Sequence, residues 1–324
     1  MSKLRITGTF LDEISYDIPH HNWGPEEWDA DFAAMKAMGI QKVFLIRCCL
    51  RKFMAYPSKV IPAHGGTWHQ PPVDWIDLFL TLAEKHGLEF FAGTGVRDDL
   101  YYPDFTEQAR LDDAKVQVEI IDEIQSLYGH RKAFAGWYIT NEICRDLPGA
   151  AEQFVIEASH AKKVTGGKPV MISPFFAGSK VREILQDSGH EIFGVEMHVK
   201  HWTQIFEAIK GLVDIVAFQD GHAELDELPG FLTATAELAR KYGVDCWTNV
   251  ESFDRDMPWR FPPIKWEKML WKLEQAEAAG ITSALTFEFS HFMSPHSMYP
   301  SAAGLFDRYC EYAGLPARAR DFQQ

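Results

Sequence analysis

The sequence predicts an α/β fold, a single-domain (β/α)8 barrel, on three observations. Eight short apolar runs recur along the chain, and most of them are separated by segments with helical periodicity. The runs are hydrophobic almost without interruption, as strands buried on both faces of a parallel sheet must be. At 324 residues the chain has the length of one such barrel, and no low-complexity linker or shift in composition divides residues 1–324.

The strand-like runs are LRITGTF (4–10), KVFLIRCC (42–49), LEFFAGTGV (88–96), FAGWYIT (134–140), PVMISPFF (169–176), DIVAFQ (214–219), VDCWTNV (244–250) and TSALTFEF (282–289). The first helix is read over 25–39. Pro25 suits its first turn, acidic residues follow, and Trp28, Phe32, Met35 and Met38 recur at helical spacing before Gly39 ends it. Residues 73–87 and 264–280 repeat the design, each closing on a glycine. Trp28, Trp75, Trp266 and Trp271 fall on these helices and are expected to pack in the core or between helices. Two stretches, about 51–72 and 252–263, read as long loops over the active site.

Composition narrows the function. With 32 basic against 46 acidic residues the net charge is −14, and no Lys/Arg cluster occurs, so nucleic acid and acidic membrane surfaces are not expected partners. No apolar run reaches the roughly 18 residues of a spanning helix. The start, MSKLRITGTFLDE, runs into a strand without a secretory leader pattern, so a cytoplasmic protein is expected. The five cysteines show no CxxC pairing and read as reduced, mostly buried thiols. GTGVRD (93–98) carries only part of a dinucleotide fingerprint, and P-loop, nucleophile-elbow and HExxH motifs are absent, so no cofactor and no metal are expected. Assembly into a homo-oligomer is left open.

In such a barrel the chemistry sits at the C-terminal ends of the strands. Glu142 follows the fourth run and Glu251 the seventh, 109 residues later. Strands four and seven face one another across the mouth, so two carboxylates can converge there. Carboxylates about 5 Å apart are what a retaining glycosidase uses, one attacking the anomeric carbon and the other moving the proton. An amide that hydrogen-bonds the sugar 2-OH assists such chemistry, and Asn141 stands beside Glu142.

The Asn141-Glu142 pair with Glu251 resembles the clan A retaining glycoside hydrolases. The resemblance implies that Glu142 is the acid/base and Glu251 the nucleophile, with Arg47 at a position where related barrels keep an arginine near the nucleophile. A closer resemblance, covering most of the chain, is carried by GTFLDE, EEWDADFAAMKAMGIQKVFL, GWYITNE, DIVAFQDG and TFEFSHFMSP. These stretches are similar to the DUF4434 family of glycosyl hydrolase-like barrels, which implies the fold and sugar chemistry. The sixth strand departs from the clan pattern, ending on Gln219-Asp220 where a tyrosine is usual. The eighth offers Phe287-Glu288-Phe289 where a tryptophan platform is often found.

The expected ligand is therefore a small carbohydrate, met by Gln219, Asp220 and Glu288 at strand ends and by His291 just beyond the eighth strand. Trp68 and Trp259, in the predicted loops, offer ring faces for stacking on a pyranose. Three alternatives stay open. Glu142, Asp220, His222 and Glu288 could hold a divalent cation in a sugar isomerase or epimerase. The barrel could bind carbohydrate without turning it over. Strand-end glutamates can also pair with Arg47 or Arg97 purely for stability.

Overall fold

The computed structural model describes residues 3–15, 18–96, 106–181, 193–258 and 261–322. Eight parallel strands close into a barrel: β1 (Ile6–Leu11), β2 (Lys42–Leu45), β5 (Glu89–Gly93), β6 (Phe134–Ile139), β7 (Val170–Ile172), β8 (Ile215–Gln219), β9 (Asp245–Asn249) and β10 (Ser283–Thr286). They are neighbours in chain order, and β1 closes the ring by pairing with both β2 and β10. All eight predicted strands are therefore present, each within the run that predicted it or one residue beyond.

Alternation along each strand divides the core in two. Phe10, Phe44, Ile46, Phe91, Tyr138, Met171, Trp247 and Leu285 form one cluster, the barrel interior. Val43, Leu45, Phe90, Ile139 and Val216 belong to the other, with the helices. This double burial is why the runs read as continuously apolar. The interior is aromatic: the Phe10 and Tyr138 rings lie 5.0 Å apart and those of Phe44 and Phe91 4.6 Å. Gly136 makes room for this packing, because a Cβ there would sit 2.4 Å from the Phe91 ring.

The described helices are α1 (Pro25–Met38), α2 (Val60–Ala63), α3 (Trp75–His86), α4 (Glu107–Tyr128), α5 (Ala150–Thr165), α6 (Val195–Ile209), α7 (Leu228–Tyr242), α8 (Trp266–Ala278), α9 (Phe289–Phe292) and α10 (Pro300–Ala313). None is long and apolar enough to cross a membrane. Local chemistry sets their ends. Asp74 caps α3 by accepting from the Asp77 N–H at 3.0 Å, and Gly87, at φ 66°, closes it in a left-handed turn. Trp28 and Trp75 are buried as their spacing predicts, but Trp271 is 42% exposed. Its indole N–H reaches sideways to the Leu225 carbonyl at 3.3 Å.

The stretch 51–72 is only partly a loop over the mouth. It begins in a hairpin of β3 (Cys49–Leu50) and β4 (Phe53–Met54), whose Leu50 bridges to Val96 beyond β5. The chain then descends the flank, where Glu123 of α4 accepts from the Tyr56 hydroxyl and the Lys59 N–H, both at 2.7 Å.

Candidate active site

The strand ends build the mouth. The Thr140 hydroxyl bonds the carbonyls of Ile46 at 3.2 Å and Thr94 at 3.0 Å, tying the ends of the second, third and fourth barrel strands together just below Asn141 and Glu142. Glu142 is 24% exposed at its side chain and lies 3.6 Å from the guanidinium of Arg47, which is nearly buried. That spacing is an ion pair without close hydrogen-bond geometry.

Asn141 is anchored from behind. Its amide nitrogen donates to Glu157 of α5 at 3.1 Å. Burial, and then the charge of Asp113, pushes the Glu157 carboxyl well above the usual carboxylate range. The network continues through Gln153, which donates to Asp113 at 3.1 Å.

Glu251, two residues beyond β9, is almost fully enclosed. Its side chain is 2% exposed, and both carboxylate oxygens are taken by Arg255, through Nε at 2.7 Å and Nη2 at 2.8 Å. Burial alone would raise the Glu251 pKa. Arg255 more than offsets it, His222 and Lys272 add to the pull, and the group ends below its ordinary value. Gly221 packs beside this contact, where a Cβ would fall 1.7 Å from Glu251 Oε2 and 2.5 Å from Arg255 Nε. Glu142 and Asp220 also act on the Arg255 charge, so the two glutamates share the field of one guanidinium.

Asp220 faces away from the mouth. Its Oδ1 accepts from Lys272 of α8 at 2.7 Å and from the Glu251 N–H at 3.1 Å, and Lys272 also donates to the Glu251 carbonyl at 3.3 Å. Burial first, and the Glu251 charge, push the Asp220 carboxyl up against the pull of Lys272. Gln219 donates to the Ser173 carbonyl at 2.8 Å.

Glu288 and His291 are sealed in the wall, 0% and 1% exposed. Glu288 caps α9 by accepting from the N–H groups of Ser290 at 3.0 Å and His291 at 2.8 Å, and it pairs with the His291 ring. Burial opposes the imidazolium, yet Glu288 raises the His291 pKa. Trp68 is half-buried and gives its N–H to the Gly65 carbonyl at 2.8 Å. Trp259 and Arg97 lie outside the described residues.

The structure thus brings Arg47, Asn141, Glu142 and Glu251 to the mouth, sets Asp220 and Gln219 against its wall, and leaves Trp68 next to His69, which bridges to Phe53 of the β3–β4 hairpin. Among the described residues, no three His, Cys, Asp or Glu side chains are grouped to hold a metal ion, so Glu142, Asp220, His222 and Glu288 do not form one ligand set. Three participants escaped the sequence reading: Arg255, Lys272 and Gly221. Lys272 had a legible signal, because it falls on the buried stripe of α8 with Met269, Leu273 and Ala276, where a lysine needs a counter-charge.

A family model described as "Domain of unknown function (DUF4434)" matches residues 6–299. Among solved structures, one from Bacteroides thetaiotaomicron VPI-5482, described as a "putative alpha-L-fucosidase", is 47% identical, with 97% of this chain and 94% of that chain covered and a TM-score of 0.89. The endo-1,4-beta-D-mannanase of Thermotoga petrophila RKU-1 shares 13% identity over 88% of each chain, with a TM-score of 0.55. The beta-galactosidase of Marinomonas ef1 shares 13%, covering 98% of this chain and 61% of that one, with a TM-score of 0.59. At that identity these two show a common barrel fold. No match is found among proteins with a curated description.

Proposed function

The chain belongs to the DUF4434 family, and from that premise we propose that it is a retaining glycoside hydrolase acting on a small glycoside or oligosaccharide. The observation that carries this reading is the pair of strand-end glutamates, each beside a guanidinium: Glu142 lies 3.6 Å from Arg47, and Glu251 is bonded through both oxygens to Arg255. An α-L-fucoside is the first substrate to test, because the relative sharing 47% identity across nearly the whole chain is described as acting on that sugar.

Glu251 is the nucleophile. A buried carboxylate kept ionised by Arg255 is ready to attack without first losing a proton. Glu142, on the facing wall and partly exposed, protonates the leaving oxygen as the Glu251 ester forms, then takes a proton from the water that hydrolyses it. Arg47 favours the ionised Glu142 that the second step needs. In the first step the negative charge of Glu251 supports the protonated form, and that charge disappears once the ester is made. Asn141, its amide nitrogen committed to Glu157, presents its carbonyl oxygen as an acceptor for a sugar hydroxyl. The cytoplasm is the compartment we assign, in keeping with five unpaired cysteines.

Two variants assayed on aryl α-L-fucosides of graded leaving-group ability test this division of labour. Glu142→Ala is expected to lose about 10²–10⁴-fold on a poor leaving group and far less on a dinitrophenolate, which departs without a proton. Glu251→Ala is expected to lose nearly all turnover on both. Small, equal losses in the two variants would contradict the assignment.

A further inference from the structure

Building on the glycosidase reading above, we propose that Arg255 is a side-chain gate on Glu251, covering the carboxylate and giving way to the positively charged anomeric centre of the reacting sugar.

Three observations define the gate. First, Glu251 is shut in: its side chain is 2% exposed, while the Arg255 side chain that covers it is 23% exposed. Gly221 closes the space beside this contact, where even a Cβ would overlap Oε2 and crowd Arg255 Nε. The two bonds leave lone pairs on each oxygen, so it is the enclosure beneath the guanidinium that a sugar carbon must open, and Arg255 is the side chain that can move aside.

Second, neither backbone can supply that movement. The N–H and C=O of Glu251 are held by Asp220 and Lys272, a buried ion pair anchored in α8. The loop is fastened on each side of Arg255. Asp254 receives Lys268 at 2.9 Å and donates its N–H to the Pro262 carbonyl at 2.8 Å. Asp256 receives Lys268 at 2.8 Å and Lys180 at 2.7 Å. The opening is therefore a rotation of the Arg255 side chain, with no swing of the loop.

Third, the guanidinium already rests against aromatic faces while it holds Glu251, and these remain beside it when it lets go. It lies 4.8 Å from the ring centre of Phe253 and 5.8 Å from that of Phe261, and aromatic faces stabilise a cation that has left its carboxylate. Exchange of one cation for another then keeps Glu251 neutralised throughout. The contact favours the transition state, where the sugar carries positive charge, over the uncharged ground state.

The test is isothermal titration of 1-deoxyiminosugars of fuco, galacto and gluco configuration, whose ring ammonium mimics that charge, into the wild type, Arg255→Gln and Glu251→Gln, each checked for an intact melting transition. If Arg255 is a gate, an iminosugar that binds the wild type binds Arg255→Gln about tenfold tighter, because no resident cation has to be displaced, and Glu251→Gln loses the affinity. Equal or weaker binding to Arg255→Gln, with wild-type binding still dependent on Glu251, overturns the gate and leaves the glycosidase reading intact. Absence of binding to every folded variant, the wild type included, overturns both. Should Arg255→Gln fail to fold, Arg255→Lys replaces it, and the expected gain is smaller but of the same sign.

Discussion

Glu251 shows how far single residues set the chemistry. Its carboxyl is buried, faced by Arg255, Lys272, His222 and Asp220, and its pKa lies below its ordinary value of 4.5. If Glu251 is the nucleophile proposed above it must be ionised, so kcat/KM of the wild type should fall only below that pH, and in Arg255→Gln this acidic limb should move upward. A pH–rate profile of both proteins checks this, and coincident limbs would contradict it. Gly221 gives a second residue-scale prediction: Gly221→Ala forces a methyl onto Glu251 Oε2 and should cost about 1–3 kcal/mol of stability through overpacking, together with most of the activity. Denaturant unfolding and an aryl glycoside assay read the two effects. The Asn141-Glu142 and Glu251 positions were legible in the sequence because barrel strand ends are where polar residues must have a reason. Arg255 was not, because its contact depends on the path of a loop, and no periodicity reports that.

At the scale of elements, the strand cores followed from apolar runs, and the errors lie at their ends. The run 169–176 yields a strand of only three residues, Val170–Ile172. Pro174 has no N–H to offer the ladder, and pairing resumes only as an isolated bridge from Phe175 to Gln219. The run 282–289 stops at Thr286 because Glu288 turns back to cap α9. Helix α8 contributes more than a covering layer, since Lys272 reaches from it to Asp220 and to the Glu251 backbone. Lys272→Met should leave Asp220 as an uncompensated buried charge and destabilise the protein by about 3–5 kcal/mol. Adding Asp220→Asn should recover part of that loss, and a double-mutant cycle by denaturant unfolding measures the coupling. Strict additivity of the two substitutions would show that the pair does not act as a unit.

For the molecule as a whole, closure of β1 onto β10 brings the segment after β10 against α1, where an acid is fully buried. Asp31 of α1 accepts hydrogen bonds from Ser290, at 2.7 Å, and from Ser294, both in the segment after β10. Burial raises its pKa to about 7, and burial likewise raises Glu13 to about 7. Both groups hold their protons in the folded state at pH values where the unfolded chain has released them. Stability should therefore fall as pH rises from about 4 to about 7 through these two groups. Glu251, whose folded pKa is depressed, contributes in the opposite sense, with stability present above its unfolded pKa and lost on acidification. Asp31→Asn, which mimics the protonated acid, should flatten the decline between pH 4 and 7, as thermal melts across that range would show.

The central claim is that Glu251 forms a covalent bond with the sugar. The most direct measurement is peptide mass spectrometry of the enzyme after reaction with an activated 2-deoxy-2-fluoro fucoside, which slows hydrolysis of the ester. The account predicts a single fluorosugar adduct on the peptide carrying Glu251. An adduct on another carboxylate, or product of inverted configuration formed without any adduct, would contradict it.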